Sequence, residues 1–312
     1  MLSSLFSTLF TMKFVQTVIR LATPIVFAAI GTFVAASTGI GNIAIESIMT
    51  FSALAGVLGS YLTGNAWVGV CIGFIVGICT ALLIAFFSMK MGANAFLIMI
   101  ALNTFADSVA IFTLYQITGD KGTTASLATP ILGTWDIPII KDIPILGEIF
   151  SGHYILTYIC WILVILLFIL IYKTPLGMHM RACGLNPDSA RTAGINVEKL
   201  QVLSLILSGF FASLGGVYLS LNYLKIFSKA MVSGQGWMGI AANGIANGNY
   251  GVLLLSALIF AIFRAVSIIF SSSTAFPVDL VGAVPYFSVF FLLTLVSIIN
   301  YYRTKRGKVE EE

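Results

Sequence analysis

Long apolar runs recur along this chain, and they constrain its fold more than any other feature. About eight runs of roughly 20 residues are long enough to cross the hydrocarbon core of a bilayer as helices. The runs are continuously apolar rather than alternating, which excludes a transmembrane β-barrel. The sequence therefore predicts an all-α, polytopic transmembrane helical bundle in which residues 1–312 form a single domain. The runs cover residues 21–36, 43–62, 66–88, 93–115, 154–172, 201–223, 252–272 and 280–299.

Composition excludes the soluble classes of protein. Charged residues make up only 9% of the chain, whereas a soluble globular protein carries about 25%. Such a chain cannot cover a water-facing surface, so a soluble enzyme, a nucleic-acid-binding protein and a disordered segment are excluded. The first run ends in Ala35-Ala36-Ser37, which resembles a signal-peptidase site. The later runs favour the alternative interpretation, an uncleaved first transmembrane helix.

The distribution of charge indicates the orientation of the loops, because Lys and Arg concentrate in cytoplasmic loops. Residues 116–152 carry four acidic against two basic residues, and residues 173–200 carry four basic against two acidic. We therefore predict that 116–152 form an extracellular loop and that 173–200 form a cytoplasmic loop. The charged tail, residues 301–312, and Lys90 are predicted to be cytoplasmic as well.

The number of crossings does not agree with these sides unless each half of the chain contains an irregular piece. If Lys13 and Arg20 are cytoplasmic, three spans place Lys90 outside, and the second half gives the same conflict. Each half then needs a further crossing, a broken helix or a re-entrant piece, giving about 8–10 spans. Residues 37–42 and 232–249, rich in Gly and Asn, are the candidates. Discontinuous segments in corresponding positions of two halves point to a substrate pathway.

Few ionisable residues lie inside the apolar runs, and such residues usually face a bundle interior or an aqueous path. They are Glu46, Asp107 and Arg264. Asn42 precedes Glu46 by four residues and Asn103 precedes Asp107 by four, so each pair shares a helix face. Two interpretations of Asp107 stay open: a structural ion pair with Arg264, or a place on the path of a polar solute. Asn42, Glu46, Asn103 and Asp107 are candidate pathway residues.

Residues 234–239 match GxGxxG, but this motif binds a dinucleotide only after a strand and with an acidic residue about 20 positions later. Neither is present, and we expect no cofactor and no metal site. No phosphate-binding loop is present either, so the chain does not itself hydrolyse ATP. Trp237 is either a stacking platform for a ring-containing solute or an interfacial anchor. Gln235, Trp237 and Asn243 complete the candidate pathway residues.

A short capped helix is predicted within the basic loop. Asn186 is a good N-cap, Pro187 suits the first helical position, and Gly194 suits a left-handed stop. One interpretation is a surface amphipathic helix, and the other is a lever that receives force from a soluble partner. The candidate coupling residues are Gly184, Asn186, Pro187, Asp188, Ala190, Arg191 and Gly194.

Three strings resemble those of a known family. RACGLNPDSARTAGINVEKLQVLSLILSGFFASLGGVYLSL is similar to the coupling loop and following helix of bacterial ABC import permeases for simple sugars, nucleosides and branched-chain amino acids. GIGNIAIESIMTFSALAGVLGSYLTG and GQGWMGIAANGIANGNYG resemble their other motifs, and the likeness covers roughly residues 20–300. Glu46 and Gly-Ala-Asn at 92–94 favour the nucleoside and simple-sugar branch. Ser47 departs from the Gly usual in that branch.

The resemblance implies a multi-pass permease of the bacterial plasma membrane that imports a nucleoside or a related small polar solute. A sugar or branched-chain amino acid permease is the alternative within the family. The implied partners are a cytoplasmic ABC ATPase, a second and often distinct permease, and an extracellular solute-binding lipoprotein. Asn186–Gly194 would then contact the ATPase, and 116–152 would receive the lipoprotein. From a different class, an ion-coupled secondary transporter using Glu46 and Asp107 stays open, as does a structural subunit without a pathway.

Overall fold

A computed structural model describes residues 12–138, 146–273, 284, 286–296 and 298 of the chain. Seven helices in this part are long and apolar enough to cross a membrane, which confirms the all-α polytopic bundle. The run at 280–299 lies only partly in the described part, and the predicted cytoplasmic tail 301–312 lies outside it. The helices are α1 (Met12–Ala36), α2 (Ile45–Thr63), α3 (Ala66–Ala85), α4 (Ala95–Thr118), α5 (Leu146–Phe150), α6 (Ile155–Lys173), α7 (Pro175–Leu185), α8 (Pro187–Thr192), α9 (Val197–Val217), α10 (Gln235–Ala246), α11 (Tyr250–Ser273) and α12 (Tyr286–Val296).

Short irregular elements complete the bundle. One π-helical turn extends α3 over Phe86–Lys90 and another extends α9 over Tyr218–Tyr223. Strand β1 (Thr134–Trp135) pairs antiparallel with β2 (His153–Tyr154) in the loop between α4 and α6. The end of the molecule that carries this pair is called the hairpin face below, and the end that carries α8 is called the α8 face.

Helix α1 lies at the centre, packed against α9, α10 and α11. Small residues let the helix backbones approach closely, as in other membrane bundles. A Cβ atom on Gly31 would lie 3.1 Å from the Ser208 carbonyl oxygen, and one on Gly69 would lie 2.8 Å from the Ser60 Cβ. Helices α2, α3 and α9 pack together around these contacts.

The direction of α1 places Arg20 at the same end of the bundle as the acidic loop, so a cytoplasmic Arg20 and an extracellular loop 116–152 cannot both hold. Arg20 donates from Nη2 to the Gly152 carbonyl oxygen at 2.9 Å, beside β2. Its guanidinium also lies 5.2 Å from the centre of the Tyr154 ring. Because α1 begins at the hairpin face, α1, α2 and α3 bring Lys90 to the α8 face without a further crossing.

Both predicted irregular pieces are present. Residues 37–44, the link segment, are not helical, and Asn42 within it contacts Ser208, eleven positions after the first residue of α9. At 1.5 Å per residue this is a depth of about 16 Å. In the second half, residues 224–234 descend from the hairpin face, and α10 completes the crossing. Its 12 residues are too few to span a bilayer alone.

The α8 face is more structured than the sequence predicted. The capped helix is confirmed as α8, whose N-cap Asn186 accepts from the backbone N–H groups of Asp188 and Ser189 at 3.1 and 3.0 Å. Gly194 has a φ of 82°, as expected for a left-handed stop. A second helix, α7, precedes it and was not predicted. Its signal was Thr174 before Pro175, because Thr174 caps α7 through Gly177 N–H.

Candidate substrate pathway

A polar cavity of about 600 Å³ lies between α2, α4 and the beginnings of α10 and α12. It is called the Glu46 cavity below. Four of the predicted pathway residues line it, namely Glu46, Asn103, Asp107 and Trp237. The complete lining is Glu46, Thr50, Asn103, Thr104, Asp107, Ser108, Ala230, Val232, Ser233, Gly234, Trp237 and Tyr286.

Glu46 closes one wall of this cavity. Its Oε1 accepts from the Gly234 N–H and its Oε2 from the Gly236 N–H, each at 2.8 Å. These donors lie at the beginning of α10, where the first N–H groups of a helix have no intrahelical acceptor. A carboxylate there also complements the positive end of the helix dipole. Glu46, in the first turn of α2, thus caps a helix 188 positions further along the chain.

The GxGxxG motif serves this close packing. A Cβ atom on Gly236 would lie 2.8 Å from the Glu46 backbone nitrogen, and one on Gly239 would lie 2.6 Å from the Ala28 Cβ. Gly234 has a φ of 76° and lies against the Tyr286 ring. The three glycines therefore let α10 begin against α1 and α2, and they do not form a phosphate-binding turn.

Asn103 and Asn42 hold the beginning of α2. Asn103 accepts from the Ser47 N–H and donates to the Ile43 carbonyl oxygen, both at 3.0 Å. Asn42 is fully buried, donates to Ser208 Oγ at 2.9 Å and accepts from the Ala44 N–H at 3.0 Å. Asn103 thus borders the cavity with its amide already engaged. Asn42 lies behind the wall rather than in it.

Asp107 and Arg264 take different positions from those expected of an ion pair. Among the described residues no ion pair joins them. Arg264 donates from Nη1 to the Ser233 carbonyl oxygen at 3.2 Å, which supports the segment that descends to α10. Asp107 is exposed on α4 and faces the cavity, as do Thr104 and Ser108 beside it. Its carboxylate makes no hydrogen bond within the described part of the chain.

The other predicted pathway residues of α10, Trp237, Gln235 and Asn243, lie in three different surroundings. Trp237 is 43% exposed and lies in the Glu46 cavity. Gln235 is buried, and its Oε1 has no partner within the described residues. Asn243 lines another cavity, of about 500 Å³, at the α8 face with Ser37 and Arg181.

The predicted coupling residues separate into a surface group and an internal residue. Asn186, Pro187, Asp188, Arg191 and Gly194 lie in or beside α8, and Asp188 pairs with Arg191 at 2.9 Å. Ala190 is buried against the short core beneath α8. Gly184 belongs to α7 instead: a Cβ atom there would lie 2.5 Å from the Ser37 carbonyl oxygen.

Sequence reasoning missed three small polar residues that tie the link segment to α9. The hydroxyl groups of Thr38 and Ser204 form a hydrogen bond at 2.7 Å, and the Ser208 hydroxyl accepts a hydrogen bond from the Asn42 amide. The signal available was the spacing of Ser204 and Ser208, which places two hydroxyls on one face of an apolar helix. Tyr286, which lines the cavity, was missed as well, because a tyrosine in an apolar run is typical of many membrane helices.

Comparison with known proteins places the chain among permeases. Residues 14–299 match the family described as branched-chain amino acid transport system / permease component. A nucleoside ABC transporter permease protein of Lactococcus lactis is 28% identical over 80% of each chain. A putative glucose ABC transporter permease protein of Haloferax volcanii is 26% identical over 80% of this chain and 75% of its own. A guanosine ABC transporter permease protein of Bacillus subtilis is 30% identical over 80% of this chain and 79% of its own.

Proposed function

Because this chain belongs to the branched-chain amino acid transport system / permease component family, and is thus the multi-pass inner-membrane permease subunit of an ABC importer, we propose that it carries nucleosides. The solute would cross through the Glu46 cavity. As a transport component it is not an enzyme. It works with an ABC ATPase, which hydrolyses the ATP, and with a second permease.

The chemistry of the cavity supports a nucleoside or a closely related polar solute. Trp237 offers a ring face on which a base can stack, and every base has a π-face. Asp107 offers two carboxylate oxygens that no described residue engages, and these suit the hydroxyl donors of a ribose. A volume of about 600 Å³ lies in the range usual for small-molecule sites. The nucleoside and guanosine permeases among the relatives point to the same solute.

The second permease would cover the open side of this cavity. Asp107 and Ser108 are exposed on α4, and Phe290 and Phe291 are exposed on α12. A carboxylate facing lipid at this depth is costly. A polar cavity lined in part by the exposed rings of Trp237 and Tyr286 is suited to a protein neighbour instead. We propose a distinct homologue as that neighbour, with the pathway between the two chains.

The two faces of the bundle have separate proposed partners. The basic loop that carries α8 would lie in the cytoplasm, where Asn186–Gly194 and the 88%-exposed side chain of Leu185 contact the ATPase. The hairpin face, with residues 116–138 and 146–152 of the acidic loop, would receive solute from an extracellular lipoprotein.

Uptake of labelled guanosine tests the proposal. The chain is expressed with its ATPase, second permease and binding protein in a strain that lacks nucleoside uptake, and unlabelled uridine or glucose is added as competitor. We expect uridine to compete and glucose not to. No uptake of labelled guanosine together with uptake of labelled glucose would replace the nucleoside with a sugar, the solute named for the putative glucose permease relative.

Two substitutions locate the pathway in the same assay. Trp237→Ala and Asp107→Asn should each lower guanosine uptake at least tenfold. The matched control is Trp67→Ala, whose ring is 49% exposed outside the cavity. Equal losses in the two variants and in this control would exclude the Glu46 cavity as the path.

A further inference from the structure

We propose that Gly184 is a positioning residue that passes the movement of α8 to the Glu46 cavity through the link segment, residues 37–44. This inference rests on the proposed role of that cavity as the solute path. Gly184 would thus act inside the chain, through a close backbone contact, rather than on the ATPase surface.

The first step joins α8 to α7. A single residue, Asn186, separates the last residue of α7 from the first residue of α8. Beneath them Cys183 of α7, Ala190 of α8 and Val197 of α9 pack into one small buried core. A force applied to α8 therefore moves the end of α7 with it, because a close-packed core transmits displacement.

The second step joins α7 to the link segment. A Cβ atom on Gly184 would lie 2.5 Å from the Ser37 carbonyl oxygen and 3.3 Å from the Gly39 nitrogen. Backbone thus lies against backbone at this point, with no flexible side chain between them to absorb a shift. Gly39 has a φ of 83°, so the chain turns sharply where it meets α7.

The third step leads along α9 to the cavity. Thr38 bonds to Ser204 at 2.7 Å and Asn42 bonds to Ser208 at 2.9 Å, and all four side chains are fully buried. These hydrogen bonds hold the link segment against α9. A displacement of α7 therefore shifts the segment along α9 rather than away from it. The segment ends one residue before the first turn of α2, which carries Glu46.

The final step is the cap on α10. Glu46 holds the N–H groups of Gly234 and Gly236, and Arg264 holds the Ser233 carbonyl oxygen. A shift of the first turn of α2 therefore displaces the wall of the cavity directly. The route from α8 to this wall runs through close backbone contacts and hydrogen bonds, of which those made by Thr38 and Asn42 are fully buried.

The test measures the cavity wall without depending on the solute. Ser108→Cys, exposed in the Glu46 cavity, is labelled with a maleimide in the assembled transporter, with and without ATP, after Cys71 and Cys79 are replaced by Ser. With Gly184 present we expect ATP to change the labelling rate at least fivefold. With Gly184→Ala the change should fall below twofold, while the ATPase still binds and hydrolyses ATP.

Gly244→Ala is the matched control, because Gly244 lines the cavity at the α8 face but a Cβ atom added there would meet no other atom within 4 Å. It should keep the full response. If Gly184→Ala fails to insert, the paired variant Thr38→Val with Ser204→Ala, which removes both hydroxyls of one buried bond, should also lose the response.

Three outcomes would overturn the inference. They are loss of ATPase binding in Gly184→Ala, a normal ATP response in Gly184→Ala or in the paired variant, and no ATP response when Gly184 is intact. Failure of guanosine uptake would instead refute the nucleoside proposal, and the labelling response would still be measured.

Discussion

The carboxylate of Glu46 should control how firmly α10 begins, and Glu46→Gln tests this directly. In the native chain the two carboxylate oxygens accept the N–H groups of Gly234 and Gly236 at 2.8 Å each, and both glycines are buried. A glutamine offers one acceptor oxygen and one NH2 group. One of the two donors therefore loses its acceptor.

The magnitude follows from these contacts. A buried donor left without an acceptor costs about 1–3 kcal/mol, and removing a negative charge from a helix N-terminus costs about 0.3–2 kcal/mol. We expect the closed start of α10 to be weakened by about 2 kcal/mol, which corresponds to roughly 30-fold in an equilibrium constant.

Amide hydrogen exchange measured by mass spectrometry reports how often the start of α10 opens. Peptides that contain residues 233–238 should exchange about 30-fold faster in Glu46→Gln, because local opening limits the exchange of protected amides. Peptides from the middle of α9 should be unchanged. The matched control is Asp107→Asn, which alters a carboxylate in the same cavity that holds no backbone N–H. Unchanged exchange in Glu46→Gln, or equal acceleration in both variants, would refute the capping role.

Further predictions address packing, recognition, coupling and pH. Trp237→Ala should weaken competition by nucleosides about tenfold in uptake assays, since base stacking contributes about 1–3 kcal/mol, and Trp237→Phe should retain most of it. Gly239→Leu should lower the melting temperature by forcing a side chain into α1 at a cost of about 1–3 kcal/mol, whereas Gly244→Leu should not. Asn186→Ala removes the cap of α8, at about 1 kcal/mol, and should weaken retention of the ATPase in a pull-down. Burial of His153 holds its pKa below the usual 6.5. The stability gained from the neutral ring is therefore complete above pH 6.5 and is lost progressively as the pH falls through the folded-state pKa. His153→Gln should flatten the dependence of the melting temperature on pH between about pH 7 and about pH 5, a range that begins just above the usual value and extends below it.

Hydropathy and turn chemistry predicted the elements that depend on local sequence. The apolar runs gave the long helices, because a bilayer demands about 20 apolar residues for each crossing. The Gly and Asn residues at 232–249 indicated the interrupted crossing that contains the short helix α10, but most of the segment 224–234 that leads to it lies before that range. Asn186 and Gly194 gave the two ends of α8 from capping rules alone.

The direction of α1 could not be read from charge. Basic residues favour the cytoplasmic side, and that tendency predicts that Arg20 and the acidic loop lie on opposite sides, whereas the structure has both at the hairpin face. In the structure the Arg20 guanidinium donates to the Gly152 carbonyl oxygen and lies against the Tyr154 ring. Those partners lie in a loop more than 130 positions further along the chain, so no local sequence pattern predicts the contact. A charge that finds protein partners is no longer informative about the side of the membrane.

Matching depth likewise did not establish contact between Asp107 and Arg264. Counting residues along a helix gives depth at 1.5 Å per residue, but not which neighbour a side chain meets. That depends on the rotation and placement of each helix, and lipid tails are as apolar as a protein interior. Arg264 therefore meets Ser233, on a segment whose path the apolar runs do not specify.

The sequence also could not show that α4, the helix proposed to border the solute path, is largely exposed. The most apolar windows of α1 and α4 have equal mean hydropathy, yet 83% of the α1 window is buried and only 17% of the α4 window. Helix α4 carries Asp107 and Asn103 on the cavity side, so the least buried of the long described helices supplies two of the proposed pathway residues. Hydropathy cannot distinguish a helix at the centre of the bundle from an outer helix that would contact a second permease, because both must be apolar to enter the bilayer. The polar residues on the exposed side of α4 distinguish it from a lipid-facing helix. Lipid would leave the Asp107 carboxylate without hydrogen-bond donors, whereas a protein neighbour can supply them.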